Sequence, residues 1–177
     1  MKNTLVVNLI AAPSSGKSTL MADIFAKLKY ANIDCEMVSE FAKDLVWENR
    51  NETFKDEVYI FAKQNHRLFR VNGKVEVIVT DRPLVLTMLY NNRYGDKSKE
   101  LNALTLHEFN KYNNLNYFIH RVKPYNPNGR NQTEQESDEI SKELEALLIN
   151  NNINYKSVNG TQETASKIVE DIIKILY

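Results

Sequence analysis

The run Leu5-Val6-Val7-Asn8-Leu9-Ile10 is nearly continuous in apolar residues and too short for an ordinary helix. A strand of that kind has no polar face to offer water, so it belongs in the middle of a sheet covered by helices on both sides. Strand-like and helix-like patterns then alternate along the rest of the chain, which is the order of βαβ units and a mostly parallel sheet. Strands are expected at Leu5–Ile10, Cys35–Ser39, Val75–Val79, Asn116–His120 and Ile153–Val158. Helices are expected over Ser18–Ala31, in a short piece from Phe41, over Glu52–Val71, from Pro83 through Tyr90, over Leu101–Asn110 and over Thr133–Asn150. After Gly160-Thr161 the apolar positions Ala165, Ile168, Val169, Ile172, Ile173 and Leu176 predict a final amphipathic helix. Within the helix beginning at Glu52, the residues Phe54, Val58, Phe61 and Leu68 are expected on one inward face.

With 177 residues, the chain suits one domain spanning 1–177, and folding at this length buries roughly 70% of the unfolded surface without disulfides or metal staples. Lys and Arg number 23 against 23 Asp and Glu, so no large net field draws the protein onto a polyanion, and DNA is disfavoured as a bulk partner. Cys35 is the single cysteine, which excludes an internal disulfide and a cysteine-based zinc site and makes a reducing, cytoplasmic setting the expectation. The apolar stretch before Pro13 is too short to span a membrane. His66, His107 and His120 form no metal-ligand spacing and receive no role. Amphipathic helices that cover a sheet and helices that pair between subunits share one pattern, so a homodimer stays open.

The strongest chemical signal is Ala11-Ala12-Pro13-Ser14-Ser15-Gly16-Lys17-Ser18-Thr19, set between the first strand and the first helix. It resembles a Walker A phosphate loop. Such a loop presents backbone N–H groups at a helix N-terminus, a lysine for the β- and γ-phosphates and a hydroxyl for Mg²⁺. Residues Ala12 through Thr19 are therefore the expected nucleotide-binding set, with ATP and Mg²⁺ as the implied cofactors. Ala11 stands where the usual pattern has its first glycine, so the loop must start in a less extreme conformation or carry slight strain.

Four further elements follow in the order found in P-loop small-molecule kinases, which the chain resembles: nucleoside and thymidylate kinases broadly, and ribosylnicotinamide kinase-like ATP-binding domains more closely. That resemblance implies a three-layer αβα P-loop fold with sheet order 2-3-1-4-5, and an ATP-dependent kinase for a hydroxyl of a nucleoside, nucleotide or related small molecule. In Val79-Thr80-Asp81-Arg82-Pro83 an aspartate at a strand end is placed to join Ser18 at Mg²⁺, and the resemblance sends Arg82 to the phosphates. Asp81 could instead be a helix cap. Glu40 is the implied base for the acceptor hydroxyl, although an acid there also suits a helix start.

Gln64 lies on the inward stripe of its helix, where the resemblance makes it a reader of the acceptor's base and groups it with Arg67; a satisfied core glutamine fits as well. Trp47, Phe54 and Tyr90 are candidate aromatic walls. The loop 121–133, with Arg121, Lys123, Arg130 and Gln132, is the implied lid, and Arg130 is the preferred lid arginine ahead of Arg121. Two alternatives remain at this stage: a kinase acting on a hydroxylated base within DNA, and a regulatory ATP-binding module without acceptor chemistry.

Overall fold

The computed structural model describes residues 3–177. Strand β1 (Leu5–Ile10) is buried at every position and lies at the centre of the sheet. Its neighbours are β3 (Val77–Thr80) and β4 (Asn113–His120), with β2 (Cys35–Val38) beyond β3 and β5 (Lys156–Asn159) beyond β4. The order β2-β3-β1-β4-β5 is the expected one, and each of the four pairings is parallel.

Alternation along β1 sorts its side chains between two cores. Leu5, Val7 and Leu9 pack on Leu20, Ile24 and Leu28 of α1 (Lys17–Tyr30) and on Ala165, Ile168 and Ile172 of α7 (Gln162–Leu176). Val6 and Ile10 face the opposite layer, which is built from α3 (Glu57–Phe69), α4 (Leu86–Tyr94), α5 (Lys99–Phe109) and α6 (Glu134–Asn150). The short helix α2 (Phe41–Trp47) joins β2 to this layer. Asn8, the polar exception on β1, donates to Asn114 Oδ1 at 2.8 Å and Asn116 Oδ1 at 2.9 Å, and Asn116 donates to the Asn154 carbonyl, so a buried polar group in mid-sheet is satisfied across strands.

Several boundaries differ from expectation for local physical reasons. The helix expected from Glu52 is broken into a 3-10 turn over Asn51–Lys55 and α3, because the Asp56 carboxylate accepts the Tyr59 N–H at 2.9 Å and starts a new helix there. The new phase turns Val58 outward, to 61% exposure, and turns Glu57, Ile60, Phe61, Gln64 and Leu68 inward. Pro83 leads into α4 through three successive 3-10 hydrogen bonds, so the helix proper begins at Leu86. The strand expected at Ile153–Val158 forms three residues later, while Ile153 closes α6 by donating to the Leu148 carbonyl.

All five strands point their carboxyl ends to one edge, where the loops following them converge, as ligand sites in parallel sheets require. No helix among the described residues is long and apolar enough to cross a membrane.

Candidate active site

Residues 11–16 carry the chain from β1 into α1. Ala11 is not among the residues with positive φ; Ser14 at 66° and Gly16 at 87°, three and five residues further along, take the left-handed positions instead, so the missing first glycine is not needed at position 11. Gly16 is the N-cap of α1, and no side chain caps the helix, leaving its first-turn N–H groups for an anion. Lys17 folds back to donate to the carbonyls of Ala11 at 2.8 Å and Ala12 at 3.0 Å. Burial draws its ammonium below the ordinary lysine value, opposed by the nearby carboxylates of Glu40 and Asp81.

The turn before α7 supports this loop from outside. A methyl group on Gly160 would stand 2.7 Å from the Ser15 carbonyl oxygen, so only glycine allows the approach. Gly160→Ala is expected to weaken ATP binding about ten-fold, the scale of a 1–3 kcal/mol overpacking cost. Titration calorimetry checks this, and unchanged affinity would show that the loop does not depend on the contact.

Asp81 links the phosphate loop to the far wall. Its Oδ2 accepts the Ser18 hydroxyl at 2.7 Å and its Oδ1 accepts the Glu40 N–H at 3.0 Å. It caps no helix, since α4 starts after Val85. Ser18 and Asp81 thus present two hard oxygens side by side, a donor set that fits Mg²⁺ held jointly with phosphate oxygens.

Arg82 is 3% exposed, donates to Glu40 Oε1 at 3.2 Å, and lies with its guanidinium 4.5 Å from the centre of the Tyr90 ring. Glu40 is the N-cap residue of α2, yet its carboxylate makes no capping bond and is committed to Arg82. Beside them stands Glu57, a residue not singled out from the sequence. Burial pushes its carboxyl up to about 6, with Arg82 pulling the other way. The sign is unfavourable for the fold: stability falls as pH rises from the ordinary glutamate value towards 6, and the ionised carboxylate costs about 2 kcal/mol above that.

These groups share one cavity of about 670 Å³. Residues Pro13 to Thr19 with Gly129, Arg130, Asn131 and Gln132 line it together with Glu40, Phe54, Glu57, Ile60, Arg82 and Tyr90. Ala12 and Asp81 sit just behind its wall. A second cavity of about 240 Å³ opens on the outer side of the loop between Thr19, Asp23, Lys123, Gly160 and Thr161.

Gln64, Arg67 and Trp47 do not line either cavity. Gln64 accepts the Phe41 N–H at 3.0 Å and donates to the Ser39 carbonyl, while Arg67 donates to the Ser39 carbonyl at 3.1 Å and to Asp44 at 2.6 Å. Both therefore hold the segment that carries Glu40. Trp47 lies instead against Gly129, where an added methyl would be 2.9 Å from its ring.

The segment 121–133 runs irregularly from β4 to α6 and reaches the phosphate loop through the Asn126 N–H, which donates to Ser14 Oγ at 2.9 Å. Arg130 donates to the Asn126 and Asn128 carbonyls and faces the main cavity. Arg121 is committed to Glu134 and Asp138 on α6.

A family model described as an AAA domain matches residues 6–165. A search of curated proteins by sequence gives no match. Among solved structures, the NadR protein in complex with NR aligns with a TM-score of 0.70 at 18% identity, covering 95% of this chain and 51% of that one, so this chain spans about half of that protein's length. Thymidylate kinase from Candida albicans aligns with a TM-score of 0.57 at 14% identity, covering 99% of this chain and 91% of that one. At these identities the likeness is one of fold: a parallel five-stranded sheet of order β2-β3-β1-β4-β5 between helices, with the phosphate loop after β1. The family match runs from β1 through the phosphate loop, Asp81 and the segment 121–133 into α7, and on that extent the chain belongs to the AAA-domain family.

Proposed function

We propose that the protein is an ATP- and Mg²⁺-dependent kinase that transfers the γ-phosphoryl group to a hydroxyl of a nucleoside, nucleotide or related small molecule. The observation that carries this reading is a carboxylate–guanidinium pair, Glu40 with Arg82, on the same cavity as the phosphate loop and tied to it through Asp81. A module that only binds nucleotide has no need of a buried arginine and an acid facing open space beyond the phosphates.

In this reading the N–H groups of residues 14–19 and the Lys17 ammonium hold the ATP phosphates, with Lys17 exchanging the Ala11 and Ala12 carbonyls for phosphate oxygens. The second cavity, between Thr19, Lys123 and Thr161, suits the nucleotide base. Mg²⁺, when bound by Ser18 and Asp81, supplies charge neutralisation. Glu40 orients the acceptor hydroxyl and takes its proton as the acceptor oxygen bonds to the γ-phosphorus and the bond to the β-phosphate oxygen breaks, releasing ADP. Arg82 and Arg130 stabilise the charge on the transferring group from its two sides. Gln64 and Arg67 act as positioning residues through the backbone at Ser39 and Phe41.

ADP release in the presence of Mg²⁺ tests the proposal. A nucleoside or nucleotide should stimulate it at least ten-fold over the basal rate, whereas ATP binding with no stimulation by any acceptor would support the regulatory module instead.

A further inference from the structure

Trp47 is the last residue of α2 and is 66% exposed, a large aromatic ring left outside the packed layers. Its contact is with the loop 121–133. Gly129 of that loop lies so close that a methyl group there would stand 2.9 Å from Trp47 Cζ2 and 3.3 Å from Cη2, and its φ of 71° is one that glycine adopts without steric cost. The next residue is Arg130, which faces the main cavity. Its guanidinium donates to the carbonyls of Asn126 at 2.7 Å and Asn128 at 2.9 Å, and its N–H donates to the Pro127 carbonyl at 3.1 Å, so the tip 126–130 is folded around its own arginine. A tip tied in this way moves as a unit, and where it rests decides where the arginine stands.

That resting place is opposed by charge, because Arg130 shares the cavity with Lys17 and the two cations disfavour each other. Two contacts act against the repulsion: the Asn126 N–H on Ser14 Oγ at 2.9 Å, on the side of the phosphate loop, and Gly129 on Trp47, on the side of α2. The second contact also ties the tip to Glu40, since Glu40 is the N-cap of α2 and Trp47 its last residue, about 10 Å further along the helix. We propose that Trp47 is a positioning residue for phosphoryl transfer: its ring seats Gly129 and thereby fixes Arg130 at the transferring group in register with Glu40. This rests on the kinase reading above and adds to it a residue that lines neither cavity. A ring two-thirds exposed makes a small contact, so the seat can be left and retaken as ligands exchange.

The test uses the full chain, in which Trp47 is the sole tryptophan. Acrylamide quenching of its fluorescence should fall about two-fold when ATP and Mg²⁺ saturate the site, because the phosphates draw Arg130 in and press Gly129 onto the ring, and this protection should vanish in Arg130→Ala. Trp47→Ala should lower kcat by about 10- to 100-fold, the scale of a slightly misplaced catalytic group, while KM for ATP changes less than about three-fold. Its melting temperature should stay near that of the wild type, since the ring lies outside the core. Trp47→Phe keeps a ring on Gly129 and should retain kcat within about three-fold of the wild type. Trp47→Ala combined with Arg130→Ala should be no slower than Arg130→Ala alone. Rates are taken with whichever of adenosine, thymidine, thymidine monophosphate and nicotinamide riboside best stimulates ADP release. Losses that add in the double variant, Trp47→Phe as slow as Trp47→Ala, or ATP bound by calorimetry without protection of Trp47 would overturn the proposal. Protection of Trp47 without transfer to any acceptor would support the seat and count against the kinase reading.

Discussion

Lys17→Ala is expected to abolish phosphoryl transfer, with the rate falling by about 10³-fold and ATP affinity by about ten-fold, because a buried ammonium aimed at phosphate oxygens is worth most where charge develops. The fold should survive. In the absence of nucleotide the ammonium binds only the carbonyls of Ala11 and Ala12, and burial already disfavours its charged form. The sign of that effect gives a second readout. The folded state releases the Lys17 proton at lower pH than the unfolded chain does, so stability rises with pH between the folded-state value and 10.5. Lys17→Ala should remove this rise and leave the melting temperature near neutral pH at or above that of the wild type. Transfer kinetics and thermal melts at several pH values check both parts, and undiminished transfer would sink the phosphate-loop assignment.

Glu40→Gln is expected to lower kcat by about 10²- to 10⁴-fold while changing ATP affinity less than about three-fold. Glutamine keeps an oxygen for Arg82, and the tie to Asp81 runs through the backbone N–H of residue 40, so both hydrogen bonds that frame the site have acceptors and donors in the variant. What is lost is the capacity to take a proton. Steady-state kinetics combined with nucleotide titration separate the two quantities. Equal losses in ATP affinity and in rate would place Glu40 on the phosphate side or show a site that has come apart.

The features legible in the sequence are those whose signal is local. The continuous apolar run of β1, the Gly16-Lys17-Ser18 step into α1, and Asp81 at the end of β3 all stand where the residue pattern puts them. The capping box is equally local: Thr133 accepts the Glu136 N–H and Glu136 accepts the Thr133 N–H. Features decided by distant partners were not legible. Gln64 and Arg67 lie on the helix where the pattern leaves a base reader and a satisfied core glutamine equally open, and only the fold shows that the backbone at Ser39 and Phe41, more than twenty residues away in the chain, engages them. Lys156–Asn159 is an edge strand with a mostly exposed face, so its apolar signal is weak and β4 fixes its extent.

Glu57 carried a signal that the pattern of its helix could have revealed. Positions 57, 61, 64 and 68 form one buried stripe, and an acid on that stripe calls for a partner as surely as Gln64 does. The expected stripe begins at Phe54 and Val58 and shares only Phe61 and Leu68 with the observed one, because the chain restarts as a helix at Asp56 and turns Val58 outward. The second cavity had no comparable signal, since Thr19, Lys123 and Thr161 are brought together only by the order of the sheet.

The measurement that bears most directly on the central claim is transfer of labelled γ-phosphate from ATP with Mg²⁺ to nucleosides, their monophosphates, nicotinamide riboside and duplex DNA, with Lys17→Ala as the blank and phosphorus NMR to identify the product. The account predicts a phosphate monoester on a small-molecule hydroxyl, formed by the wild type and absent from the blank. ATP bound at the phosphate loop with label passing only to water, or passing to DNA in place of every small molecule, would contradict it.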